Sequence, residues 1–229
     1  WGEDLGAATS YLGSYQGHGS VAHPHGILIT WALMTEGGIL VNASGQRFTN
    51  EHEGYSEQAR RVMVQPGGLA WDIYDQRLHE LGKEFEDYVQ AEKMGAVKMA
   101  ASIEELSSML GLPQDMLAQT LAECRQLRKE PSADPLGRDF STKPSLEPPF
   151  YGIKVTGSLF HTQGGLTVNT EARVLRQDGS AFVNLFAAGG AAAGLSGSGD
   201  WGYLSGNGLL TAVALGRIAG LTAAKLPEV

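Results

Sequence analysis

Between Leu185 and Gly220, glycine and alanine crowd the space between an apolar run, Asn184–Ala188, and a helix start at Gly206-Asn-Gly208. A strand, a glycine-dense loop and a helix N-terminus in that order suit a nucleotide or a flavin. Glycine lets backbone approach a ligand with no Cβ in the way. A helix N-terminus adds unpaired amides and the positive end of a dipole. Within the tract, Gly197-Ser-Gly-Asp-Trp-Gly202 has the spacing G-x-G-x-x-G. A dinucleotide fingerprint needs a strand directly before it and a helix directly after. Here a small-residue loop precedes it and Tyr203-Leu-Ser follows, so the match is set aside. His18, His23 and His25 are a second cluster able to do chemistry, as imidazoles that bind metals. No nearby cysteine or carboxylate completes a recognised ligand spacing, so no metal is expected.

The elements that must position these residues fall into three zones. In the first, Gly38-Ile-Leu-Val-Asn42 reads as a strand entering a hairpin through Ala43-Ser-Gly45. In the second, Leu69–Ile73 predicts a strand and Asp75–Leu81 a helix. Ser102-Ile-Glu-Glu105 has the capping-box form for a short helix ending near Gly111. Pro113 suits the first turn of a helix to about Lys129, with Leu117, Leu121, Cys124 and Leu127 along one stripe. Pro131–Pro149 is a proline-punctuated connector. In the third zone, Tyr151–Val155, Leu166–Asn169, Arg173–Leu175 and Asn184–Ala187 predict strands, and Leu209–Lys225 a closing helix.

The 229 residues, 42% of them hydrophobic, suffice for a sizeable core. A net charge of −8 argues against nucleic acid or an anionic membrane as the main partner. Leu209–Leu226, the longest apolar candidate, is interrupted by Gly216, Arg217, Gly220 and Lys225, so no membrane span is expected. The lone Cys124 excludes a disulfide framework within the chain and fits packing; the expected compartment is the cytoplasm. The absence of an initiator Met suggests a processed or truncated product.

Ordered blocks extend over nearly the whole chain: Gly38–Asn42, Gly45, Arg47-Phe48, Asn50-Glu51, His161-Thr-Gln-Gly-Gly-Leu-Thr-Val168, Leu185–Gly189, Ser205-Gly-Asn-Gly208 and Gly216-Arg-Ile-Ala-Gly220. In this the chain resembles the fumarate reductase, succinate dehydrogenase and 3-ketosteroid dehydrogenase superfamily of flavoproteins. The resemblance implies an α+β chain: a mixed α/β capping domain plus the C-terminal part of a Rossmann-like FAD-binding domain, the N-terminal dinucleotide-binding half being absent. The implied divisions are residues 1–29, the end of the first FAD-domain segment; 30–149, the capping domain; and 150–229, the returning FAD-domain segment. The implied cofactor is FAD and the implied partners are a small-molecule substrate and the missing N-terminal half.

By the same resemblance, His161 falls against the flavin, and Gly189, Gly190, Gly206, Asn207, Gly208 and Leu209 in the cofactor-binding segment; Gly190 stands where many members carry a glutamate. His23-Pro24 resembles the substrate-side pair of fumarate reductases, and Thr30 is kept. Trp31, Met34, Phe160 and Tyr203 replace a glutamate, an arginine, a histidine and an arginine, and Tyr55 stands in place of the proton-delivering arginine. A dicarboxylate needs bidentate guanidinium clamps; Trp31, Met34, Phe160 and Tyr203 instead suit a pocket for a neutral ligand. The resemblance thus implies a hydride-transferring flavoenzyme acting on a carbonyl-activated C–C bond, with Tyr55, Tyr203 and His23 as candidates for proton handling or carbonyl binding. The alternative is a non-catalytic α+β domain, or one chain of a split flavoprotein, that holds no cofactor alone.

Overall fold

The computed structural model describes residues 1–129, 134–201 and 203–227. Among the described residues there are ten strands: β1 (Thr9–Ser10), β2 (Tyr15–Ala22), β3 (Ile27–Leu28), β4 (Ile39–Val41), β5 (Leu69–Asp75), β6 (Val97–Ala100), β7 (Phe150–Thr162), β8 (Gly165–Leu166), β9 (Arg173–Leu175) and β10 (Ala181–Phe186). The α-helices are α1 (Ala32–Thr35), α2 (Tyr55–Met63), α3 (Gln76–Gly82), α4 (Glu86–Lys93), α5 (Ile103–Leu110), α6 (Gln114–Leu127) and α7 (Asn207–Ala223). The chain divides into two compact units, one made of Trp1–Gln16 with Leu159–Val229 and the other of Gly17–Ser158. The fold is mixed α+β, and the pairs β1–β8, β9–β10, β2–β3, β4–β5, β5–β7 and β6–β7 are antiparallel.

The Gly17–Ser158 unit holds most of a six-stranded sheet of order β3-β2-β7-β5-β4, with β6 also paired to β7. Its long β5–β7 ladder runs from Leu69↔Thr156 to Asp75↔Phe150. Leu33, Ile39, Leu40, Ile73, Leu78, Leu106, Leu117 and Ile153 are fully buried in one core. Local chemistry sets the helix ends. The Asp75 carboxylate accepts the Leu78 amide at 3.2 Å and starts α3. The Ser102 hydroxyl accepts the Glu105 amide at 3.3 Å, and Gly111 closes α5 in the left-handed region at φ 69°. Glu105 itself reaches back one residue further than a capping box requires, to the Ala101 amide at 2.9 Å. Pro113 is the N-cap of α6, not its first helical residue. Along α6 the buried residues are Leu117, Thr120, Leu121 and Cys124. Burial pushes the Cys124 thiol up to about 12, as suits a packing residue.

A buried ion cluster ties this unit together. The Glu51 carboxylate accepts Arg47 Nε at 2.8 Å and Nη2 at 2.7 Å, the Leu40 amide at 3.1 Å, and Arg138 Nη1 at 3.1 Å. Arg138 also donates to the carbonyls of Gly38 and Met34, while Arg47 bridges to Asp134. The Phe140 ring lies under both guanidinium groups, at 4.5 and 4.6 Å. Burial alone would raise the Glu51 pKa; the hydrogen bonds from Arg47 and the two positive charges outweigh it and hold the group ionised.

Asp72, at the centre of β5, meets no such partner among the described residues. It is fully buried, and Ser20 Oγ donates to its Oδ2 at 2.5 Å. Its Oδ1 meets no hydrogen-bond partner among the described residues. Burial pushes this carboxyl up to about 7, against the lowering effect of the Ser20 hydroxyl.

The other unit has a smaller core, Ala7, Val174, Ala187 and Ala192, with Leu166, Val168, Phe182, Leu185 and Leu215 packed around it. Its strands pair as β1–β8 and β10–β9. The stretch Leu166–Asn169 is strand only at its start, and Val168 then makes an isolated bridge to Val174. Residues on α7 remain open to solvent, Leu209 at 77% and Val213 at 72%. No helix among the described residues is long and apolar enough to cross a membrane.

Two measurements probe the buried charges. Glu51→Gln leaves two guanidinium groups short of a counter-charge and is expected to cost about 3–5 kcal/mol in urea denaturation. Asp72 acts with the opposite sign to an ion-paired carboxylate. The unfolded group ionises near pH 3.8 and the folded one near 7, so its contribution is full below 3.8 and is lost as pH rises through 7. The loss is on the order of 4 kcal/mol, and Asp72→Asn is expected to abolish that slope in denaturation curves from pH 4 to 8.

Candidate functional site

Helix α7 begins where the chain turns through Gly206, which sits at φ 82°, a left-handed conformation that suits glycine. Its first turn packs on the end of β7. A Cβ on Gly208 would come within 2.6 Å of His161 Nε2, so the imidazole rests directly on the glycine backbone. His161 Nδ1 lies 2.5 Å from the Thr162 carbonyl. A carbonyl only accepts, so Nδ1 carries the hydrogen and the lone pair of Nε2 faces Gly208. The amide nitrogen of Gln163 also approaches Nδ1, at the longer distance of 3.3 Å; the shorter contact decides the tautomer.

An open recess of about 630 Å³ lies at this junction, lined by Gln16, His161, Thr162, Gly190, Tyr203, Gly206, Gly208 and Leu209. It gathers five of the seven residues expected to contact a cofactor, together with Tyr203. The Tyr203 ring stands edge-on to His161, with centroids 6.5 Å apart. A Cβ on Gly190 or Gly206 would meet nothing within 4 Å, so both glycines border open space. Of the other two expected residues, Gly189 opens a short 3-10 turn, with φ 55°, whose Cα approaches Ala212 of α7. Asn207 is buried and anchors the helix start. Its Nδ2 donates to Gln163 Oε1 at 3.0 Å and to Ser196 Oγ at 2.6 Å. Its Oδ1 is buried with no partner among the described residues, an acceptor that a bound group would satisfy.

These features fit a flavin: a glycine-walled recess, helix amides at its edge, an imidazole on the helix start and a buried orphan acceptor. Sequence reasoning did not single out Gln163, although it lies inside the quoted His161–Val168 block. Its role is to hold Asn207, and only the fold brings the two together across 44 positions.

The remaining candidates lie in the Gly17–Ser158 unit, except Phe160, which is 44% exposed on β7. His23 is exposed just past β2. Thr30 is half-buried, and its Oγ1 accepts the Ala32 amide at 3.3 Å. Trp31 is buried, and its indole N–H has no acceptor among the described residues. Met34 has no exposed surface and packs wholly inside the core. Tyr55 opens α2 half-buried, its ring stacked on that of His18 at 5.0 Å and 26°. His18 meets Trp31 edge-on at 5.9 Å. Burial pushes the His18 imidazole down to about 4, so the ring is neutral at pH 7. Among the described residues no group of three or more His, Cys, Asp or Glu side chains is placed to hold a metal ion.

Residues 9–209 match the FAD binding domain family. NADH:fumarate oxidoreductase of Klebsiella pneumoniae is 32% identical over 225 residues, covering 97% of this chain and 24% of that protein. A flavocytochrome c3 fumarate reductase in its open conformation superposes with a TM-score of 0.73 at 29% identity, over 98% of this chain and 39% of that one. A 3-ketosteroid-Δ4-(5α)-dehydrogenase from Rhodococcus jostii, solved with 4-androstene-3,17-dione, gives 0.66 at 26% identity, over 98% and 44%. The chain spans between about a fifth and two-fifths of the length of the curated relatives it matches. It belongs to the FAD binding domain family, and its cofactor is FAD.

Proposed function

We propose that this chain is the part of an FAD-dependent oxidoreductase that closes the flavin site and carries the substrate-side groups. The observation that carries the reading is the recess at the start of α7, where His161, Tyr203, Gly190, Gly206, Gly208 and Leu209 meet. The rest of the flavin site comes from a dinucleotide-binding half, in the same protein or in a separate chain. The shortness of the chain beside its relatives supports this.

FAD, when bound, would supply hydride exchange with a carbon of a C–C or C=C bond activated by a carbonyl. The chain's own residues do the rest. The first-turn amides of α7 and its positive dipole end favour negative charge at the recess. His161, held by its Nδ1 contact, keeps the wall against Gly208 in place. Tyr55 handles the proton that matches the hydride, with Tyr203 and His23 as further groups for proton transfer or carbonyl binding.

The substrate is largely apolar or weakly charged. Two carboxylates would need paired guanidinium clamps. The Tyr55 ring stacks on a neutral imidazole that Trp31 meets edge-on, and such aromatic faces suit a neutral carbonyl compound.

Titrating FAD into the chain combined with a dinucleotide-binding half, followed near 450 nm, tests the cofactor role. Gly208→Ala forces a methyl against His161 and is expected to weaken FAD binding at least tenfold. Gly216→Ala, on the same helix where a Cβ meets nothing within 4 Å, is expected to stay within about twofold. A colourless protein even with the second half present would instead establish a domain without a cofactor.

Turnover of the reconstituted protein tests the chemistry. Cyclic enones and steroid ketones are expected as substrates, with Tyr55→Phe lowering kcat by about 100-fold, in the range of a lost general acid–base. Rapid turnover of fumarate would overturn the assignment of a neutral substrate.

A further inference from the structure

Three consecutive residues of β2 grip the first turn of α2. The Gly17 amide donates to Ser56 Oγ at 2.9 Å. The His18 ring stacks on Tyr55. Gly19 lies so close beneath α2 that a Cβ there would come within 2.6 Å of Gln58 Cβ and 2.9 Å of its carbonyl carbon. Gln58 Nε2 in turn holds the Asn50 carbonyl at 2.8 Å, tying the loop before α2 to the helix it precedes. The backbone on either side of Tyr55 is therefore registered to one strand.

His18 is itself immobilised. It is 6% exposed, its edge meets Trp31, and its Nδ1 accepts the Ser20 amide at 3.1 Å. That bond leaves the hydrogen on Nε2 and fixes the plane of the ring. Tyr55, packed half-buried at the start of α2, presents one face of its ring to this rigid imidazole, 5.0 Å away and inclined by 26°.

We infer that His18 is a positioning residue, a fixed aromatic platform of β2 that sets the orientation of the Tyr55 phenol. The inference rests on the reading that Tyr55 transfers the proton. It gives His18 a role in aromatic stacking, where the spacing of His18, His23 and His25 had raised the question of a metal.

Aromatic NMR of the chain as it stands, with Tyr55 assigned by comparison with Tyr55→Phe, reads the orientation directly and needs no flavin. The stacked imidazole should shift the Tyr55 ring protons upfield. In His18→Ala that shift is expected to collapse toward the free-tyrosine value, whereas His18→Phe, which keeps a flat face, should retain at least half of it. Should the alanine variant fail to fold, His18→Gln, of similar volume without a ring, replaces it in the comparison.

In the reconstituted flavoprotein the same loss of the ring is expected to lower kcat by about tenfold with KM within twofold, and phenylalanine should restore most of it. An unchanged Tyr55 shift in the alanine or glutamine variant overturns the inference, as does a phenylalanine variant that behaves like alanine. Full turnover by Tyr55→Phe would instead overturn the role of Tyr55, leaving the ring-shift result as a separate finding.

Discussion

Glu51 is a fully buried carboxylate held between two guanidinium groups, and most of the Gly17–Ser158 unit is arranged to make that possible. Removing three charged groups from water is costly, and the cost is met only when each has matched partners. Arg47 comes from the hairpin after β4, Arg138 from the connector before β7, and Phe140 covers both. The cluster therefore fastens the connector to the hairpin and, through the carbonyls of Gly38 and Met34, to the end of α1. Four residues after Glu51 comes Tyr55. The residue types that resemble a flavoprotein motif, Arg47-Phe48 and Asn50-Glu51, thus do structural work that delivers Tyr55 to its place.

The two buried acids of this unit illustrate opposite electrostatic solutions. Glu51 is charged because its counter-charges are built in. Asp72, equally buried, has one hydroxyl and no cation, and so favours its protonated form near neutrality. Geometry, not burial, separates them. The same logic applies to His18, whose neutrality follows from burial in an aromatic environment.

Much of this was legible in the sequence where the governing interaction is local. Asp75, Ser102 and Gly111 announce helix ends because each acts on amides or dihedrals within a few residues. The ordered blocks from Gly38 to Gly220 carried the family, since their spacing reflects a shared backbone path. Interactions between distant segments were not legible. Nothing near Asn207 signals that Gln163 will hold it, and nothing near Asp72 signals that Ser20 will be its partner. The spacing of the three histidines gave no reason to expect a metal, and it gave no sign either that the approach of α2 would stack one of them on Tyr55.

The division of the chain also sets an order of events during synthesis. Thr9–Ser10 pairs with Gly165–Leu166, so β1 must wait for residues 17–158 to be made before its partner exists. Domains fold as units while the chain emerges. The unit bearing Tyr55 can therefore assemble before the β1–β8 ladder closes. The segment Trp1–Gln16 is held in reserve until residues 159–229, the rest of its own unit, are made.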